Sequence, residues 1–405
     1  MVKLNLKESK YIISKGNLKI VIKSAIAVLL IIIFSFTAGA QNGEEEDAVS
    51  KEDGVYEKLL NQSGADKLLD SLSDEAKDIL KNIGITGVNP FEINNITFSK
   101  IINVILNELS NQTNHPFKTC FSILGIMILY AALSCFNDSL AETSTKQILD
   151  IVTTLCITCA LVLPVSNVIS QTMITINSVS KFILAYVPVM VVVMIASGSA
   201  VSGSSYYSSM IIAGQGVAQV SSKIISPLLN VFLGLSVVGT ISPEINLKGL
   251  TELAGKVIKW TLAFVMTIFT GVLSFKTAIA SASDRVSSKA VKFTLSSFVP
   301  VVGSALADAY KTVESSISLL KSGIGVIAIL CVGVIFLPIL SQCVIWLVSL
   351  YISKSVSDIL NLSQPSELLE SVICVLTTLF AVILCVMAIF IISTAVIMMM
   401  GGGSS

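Results

Sequence analysis

The sequence predicts an all-α, polytopic integral membrane protein, and three observations carry that prediction. Of 405 residues, 53% are hydrophobic and only 13% charged, with a mean hydropathy of +0.85, whereas a soluble domain carries about 25% charge. The apolar residues gather in runs of about 20, the length that crosses a hydrocarbon core as a helix. The centres of those runs hold essentially no Asp, Glu, Lys or Arg. A cytosolic enzyme and a disordered chain are both excluded. The 26 basic and 26 acidic residues cancel, which gives no footing for nucleic-acid binding.

The first 40 residues read as an export signal. Lys3, Lys7, Lys10, Lys15, Lys19 and Lys23 against Glu8 make the start basic. The apolar stretch Ala25 to Phe36 follows, too short for a comfortable span. It ends in Ala38-Gly-Ala40, a small-x-small pattern that places cleavage before Gln41. An uncleaved anchor is the other reading of the same stretch.

Residues 41–117 form an acidic helical region, expected outside the cytoplasm. Within 41–115, fourteen acids face six lysines. Leu68, Leu69, Leu72, Ala76, Ile79, Leu80 and Ile83 recur at helical spacing, and Gly84 stops that helix. After Asn89-Pro90, the residues Phe98, Ile101, Ile102, Ile105 and Leu109 make a second stripe. Some 75 residues bury only a small core, so a helical cap or helices docked on membrane or partner are both open.

The transmembrane helical domain is expected over 118–400, with a flexible Gly/Ser tail at 401–405. Seven spans stand out: 119–136, 148–169, 182–200, 224–241, 258–281, 323–350 and 371–397. Between the third and fourth, Ser202 to Ser209 is too polar for lipid. The segment 201–222 reads either as a helix packed inside the bundle or as a broken, re-entrant element, and its small residues favour close helix packing.

Orientation follows the Lys/Arg bias. Lys276, Arg285, Lys289, Lys292, Lys311 and Lys321 outnumber Asp284, Asp308 and Glu314 around the loop 282–322, which places it in the cytoplasm. Lys354 against Asp358, Glu367 and Glu370 places 353–370 outside. An exported 41–117 followed by seven spans gives the same arrangement.

Two loops are amphipathic. In 244–259, Lys248, Glu252 and Lys256 share one face at i,i+4, and Leu247, Leu250, Ala254 and Val257 share the other, the pattern of a helix lying in the interface. In 282–322, Leu306, Tyr310, Val313, Ile317 and Leu320 make an apolar stripe opposite Asp308, Lys311, Ser315 and Ser318. It is preceded by the helix-breaking Phe298-Val-Pro300-Val-Val-Gly303. That segment reads either as a gate, pore constriction or docking site, or as a lateral helix covering the bundle.

Chemistry-bearing motifs are scarce. His115 is the single histidine. Of eight cysteines, Cys156 and Cys159 form a C-x-x-C pair with no second pair and no nearby basic residue, so they read as small buried hydrophobes. Gly249 to Val257 lacks the spacing and the Ser/Thr of a phosphate loop. No cofactor, metal site or catalytic residue is expected. Lys276, Lys181 and Lys223 sit at span ends, where a lysine snorkels, and Pro164, Pro188, Pro227 and Pro338 read as tolerated kinks.

From about Tyr186 onward the chain resembles the stage III sporulation protein AE family. The resemblance rests on Val187-Pro188-Val-Met190, Ala196-Ser-Gly-Ser-Ala-Val201, Phe269-Thr-Gly-Val-Leu-Ser274, Ala290-Val-Lys-Phe293, Phe298 to Gly303, Asp308, and Leu319-Leu-Lys321-Ser-Gly323-Ile-Gly325. It implies a mother-cell membrane subunit of a secretion-like channel to the forespore. The implied partners are the other stage III A proteins, including a cytoplasmic ATPase and ring-forming subunits, and indirectly the forespore Q protein. It carries over no active-site residue. Pro188, Lys276, Arg285, Phe298, Pro300, Gly303, Asp308, Lys311, Lys321 and Gly323 are candidates for assembly or gating. A stand-alone secondary transporter, with 197–222 as its broken helix, is the alternative.

Overall fold

The computed structural model describes residues 60, 63–88, 97–138, 143–241, 248–298 and 303–399, all within one packed unit. Among them there are helices and no strands. The signal-like start with Ala38, Ala40 and Gln41 lies outside the described residues, as do Pro300 and the tail 401–405.

The pre-membrane helices follow their caps. Helix α1 (Asp74–Ile83) starts where the Ser73 hydroxyl accepts the Ala76 N–H, with Asp74 and Glu75 in its first turn against the positive end of the dipole. It ends at Gly84, whose φ of 104° lets its N–H reach the carbonyls of Leu80 and Lys81, a left-handed stop that glycine takes without strain. The stripe from Leu68 to Ile83 is not one helix. A 3-10 segment, Ala65–Ser71, covers its first part, and the chain extends at Leu72 and Ser73 before α1. The Ser73 cap restarts the helix there. Helix α2 (Phe98–Asn111) buries Val104 and Glu108, while Ile102 of the expected stripe is exposed. The Glu108 carboxylate, 7% exposed, accepts the Gln112 side-chain N–H at 3.0 Å.

Seven further helices follow: α3 (Asn114–Asp138), α4 (Thr143–Ala196), α5 (Ala200–Val220), α6 (Ser226–Ile241), α7 (Lys248–Phe298), α8 (Gly303–Ile359) and α9 (Ser363–Met399). A π-turn, Ser221–Ile225, joins α5 to α6 without breaking the helix. The described residues contain six stretches long and apolar enough to cross a membrane: 114–134, 148–196, 200–240, 249–284, 316–359 and 363–398.

The helical hairpin α8–α9 is the core. In each of its two stretches 67% of the most apolar window is buried, against 6% in α7, which lies at the periphery. The hairpin turns at Asn361, in the left-handed region, where the Leu362 N–H closes on the Ser357 carbonyl at 2.9 Å and the Ser357 hydroxyl donates to the Leu362 carbonyl at 3.0 Å. Asparagine tolerates that conformation better than most residues. Helix α3 rests on α8 through Cys120, whose thiol lies 3.3 Å from the Ser353 hydroxyl. It rests on α4 through a hydrogen bond from the Tyr130 hydroxyl to Asp150.

Two further elements differ from the sequence expectation. The stretch 148–169 and the part of 182–200 up to Ala196, expected as separate crossings, lie on the single 54-residue helix α4. The polar belt between them does not interrupt it, because Thr172, Thr175, Asn177 and Ser178 each bond a carbonyl one turn back, which satisfies these side chains within a helix. The segment 244–259 is no separate in-plane helix. From Lys248 it runs straight into 258–281, and Gly255 lets the helix close on Phe232, whose Cζ would stand 3.3 Å from an added Cβ. The segment 282–322, read as amphipathic stretches about a Pro/Gly break, is helical up to Phe298 and again from Gly303, and these parts extend α7 and α8.

Candidate functional site

Buried polar side chains that bond across helices are found where α5 lies between α4 and α7. The chain leaves α4 through Ser197-Gly198-Ser199, with Gly198 at φ 78° and the Ser199 N–H bonded to the Met194 carbonyl at 2.9 Å. It returns along α4 as α5. Glycines let the two backbones approach. An added Cβ on Gly203 would stand 3.4 Å from Met194 Cβ, and one on Gly214 would stand 3.5 Å from the Ser180 hydroxyl. That hydroxyl donates to the Gly214 carbonyl at 2.8 Å. Small residues and interhelical hydrogen bonds are the usual means of holding helices together in lipid.

The N-terminus of α5 has no side-chain cap of its own. Asp284 of α7 supplies one. Its two carboxylate oxygens accept the N–H groups of Val201 at 3.1 Å and Ser202 at 2.8 Å. Asp284 is 8% exposed, so a buried negative charge meets the positive end of a helix, the pairing that backbone orphans and the dipole both favour. The anchor fixes α7 to α5, antiparallel.

Below that anchor α7 presents Val272, Phe275, Lys276, Ile279 and Ala280 at helical spacing, and α5 presents Val201 and Ser205. With Gly271 they line an open cleft of about 490 Å³. Lys276 also reaches the floor of the seam behind it, beside Ser202, Ser205, Tyr206, Ser209, Leu273 and Thr277. Tyr206 of that floor and Tyr186 of α4 are both buried. The two phenols interact, and neither hydroxyl reaches a full hydrogen bond to another described group.

Beyond the span-end reading, the structure places Lys276 half-buried in a cleft between helices. Pro188 sits on the exposed side of α4 between buried neighbours. Lys321, counted in the sequence as a loop cation, is 5% exposed on α8, and its Nζ has no hydrogen-bond partner among the described residues. Gly323 is buried on the same helix, next to Ile324 and two residues before Gly325, which packs against Met398. The side chains of Arg285, Phe298, Asp308 and Lys311 lie outside the described residues, and Gly303 opens α8. The candidates thus divide among α4 (Pro188), α7 (Lys276) and α8 (Lys321, Gly323). Cys156 and Cys159 are exposed on α4 and free, not buried as expected. Lys181 and Lys223 are exposed.

Asp284 is the residue that sequence reading missed. It was counted only as a loop acid. Its role follows from tertiary packing: Ser199 is itself a capping residue type, and only the fold shows that its side chain makes no cap bond and that Asp284 caps α5 instead. Among the described residues no group of three or more His, Cys, Asp or Glu could hold a metal ion. The arrangement can bind and anchor; it pairs no nucleophile with a base.

Such a fold and seam define a class: an all-α integral membrane protein in which some interior polar groups tie helices together. The family model for stage III sporulation protein AE matches residues 88–401, and the chain belongs to that family. The stage III sporulation protein AE of Bacillus subtilis (strain 168) is 27% identical over 228 residues, which are 56% of this chain and 50% of that protein. The match spans about half the length of that curated relative. No solved structure matches.

Proposed function

We propose that this chain is a non-catalytic membrane subunit of a channel complex between mother cell and forespore, needed for forespore development after engulfment. The observation that carries the reading is family membership over 88–401, on a bundle whose interior polar groups tie helices together. In this reading residues 1–40 direct export, 41–117 lie between the two membranes, and 118–400 form the multi-pass domain in the mother-cell (outer forespore) membrane. The partners are the other stage III A proteins. A cytoplasmic ATPase and ring-forming subunits are among them, and the forespore Q protein is reached indirectly. The helices that extend α7 and α8 through 282–322 offer the cytoplasmic surface. Deletion of the gene is expected to arrest spores after engulfment while vegetative growth stays normal. A vegetative solute-uptake defect, or solute transport by the purified chain alone in liposomes, would replace this reading with that of a secondary transporter.

A further inference from the structure

We propose that the cleft between α5 and α7 is a binding site for one anionic phospholipid, its phosphate held by Lys276 and Ser205 and an acyl chain laid along Val272, Phe275 and Ile279. The walls are apolar and face outward: Phe275 is 69% exposed, Ile279 57% and Val272 47%. They belong to the stretch 249–284, one of those long and apolar enough to lie in a bilayer, so lipid is what meets them. Lys276 stands within this wall with no ion pair among the described residues. The nearest carboxylate along its face, Asp284, is held by two backbone N–H groups of α5. A lysine in such a place needs an anion, and basic pockets between membrane helices take anionic headgroups. The serine hydroxyl of Ser205 on the opposite wall supplies a neutral donor to the same phosphate. A volume of about 490 Å³ accommodates a headgroup and the first part of one chain.

The test uses the full chain purified in neutral detergent and exchanged into nanodiscs of equal phosphatidylglycerol and phosphatidylcholine with identical acyl chains. Native mass spectrometry then counts retained lipids. Retention of phosphatidylglycerol over phosphatidylcholine by about fivefold is expected, the scale of one lysine at an anionic surface. Lys276→Gln should bring the ratio close to one, and Lys276→Arg should keep it. Gly271→Leu fills the cleft from a position where an added Cβ meets nothing within 4 Å. It should lower retention of both lipids while Lys276 remains, which separates occupancy from charge and covers the case in which the lysine variant misfolds. Equal retention by the wild type and Lys276→Gln overturns the proposal. Displacement of the lipid by millimolar inorganic phosphate would mark a small-anion site and overturn the lipid assignment. So would a Gly271→Leu variant that splits an oligomer while its lipid ratio stays unchanged, since the cleft would then hold a protein helix. None of these readouts depends on the sporulation role.

Discussion

Asp284 shows how one side chain can hold two helices in place. Removing its carboxylate leaves two buried N–H groups at the start of α5 without an acceptor, a loss on the order of 2–4 kcal/mol. Asp284→Ala is therefore expected to lower the melting temperature of the purified protein clearly, and Asp284→Asn, which keeps one carbonyl oxygen, to lower it less. Equal losses would show that charge rather than acceptor geometry matters. A second carboxylate answers to pH. Partial burial, with Glu108 nearby, raises the Glu75 carboxyl above its usual value of 4.5. The folded state thus holds that proton more tightly than the unfolded chain. The unfavourable contribution is absent below the unfolded pKa and develops as pH rises through the folded one. Glu75→Gln should stabilise the protein slightly at pH 7 and not at pH 4, seen as a difference in melting temperature that grows with pH. Neither acid was legible as special in the sequence, because hydropathy counts charges and does not say which helix end they will face. Lys276 was legible as an unusual lysine, but not as the floor of a cleft, since that depends on the face α5 turns toward it.

At the scale of elements, the apolar stretches, the stop at Gly84 and the small-residue character of 201–222 were all readable, because each is a local property of backbone or composition. Helix continuity was not. The belt from Ser170 to Lys181 looks like a connection by polarity, yet the hydroxyls of Thr172, Thr175 and Ser178 and the Asn177 amide find carbonyls within the helix. The amphipathic pieces around the Pro/Gly segment 298–303 were readable as helical, and helix stands on both sides of it; that they continue α7 and α8 was not. For 201–222 two readings were open, and the packed helix is the one found, because Gly203 and Gly214 allow close approach to α4 and Asp284 caps its start. That packing is testable by size alone. Gly214→Ala places its methyl in ordinary contact with Ser180 and Ile183 and should be close to neutral. Gly214→Leu must push α5 off α4, with a loss on the order of 1–3 kcal/mol, read as a lower melting temperature with the oligomeric state unchanged. Equal behaviour of both variants would show that α4 and α5 do not pack as tightly as the structure has them.

For the whole molecule, the open quantity is parity. The apolar stretch of α4 runs 49 residues, about 74 Å at the helical rise and more than twice a ~30 Å hydrocarbon core. Its two ends also have different neighbours: α3 meets it at Asp150, α5 at Ser180. A single crossing leaves one apolar half outside the lipid, whereas separate crossings of 148–169 and 182–200 need a turn in the belt 170–181 that the unbroken α4 does not have. The charge balance of the loops and an exported 41–117 ask for seven crossings, the unbroken helices for six. Single cysteines at Ser71, Ser178, Ser288 and Ser363 in a cysteine-free background, probed with a membrane-impermeant thiol reagent on intact cells, decide it. Seven crossings expose 71, 178 and 363 and protect 288, which leaves the helices flanking 298–303 facing the cytoplasm, where an ATPase can reach them. Six crossings bury 178, put 71 and 288 on one side and move 363 to the other. Labelling at both 71 and 288 would therefore place those helices between the two membranes, and the partner that docks on them would have to be sought there.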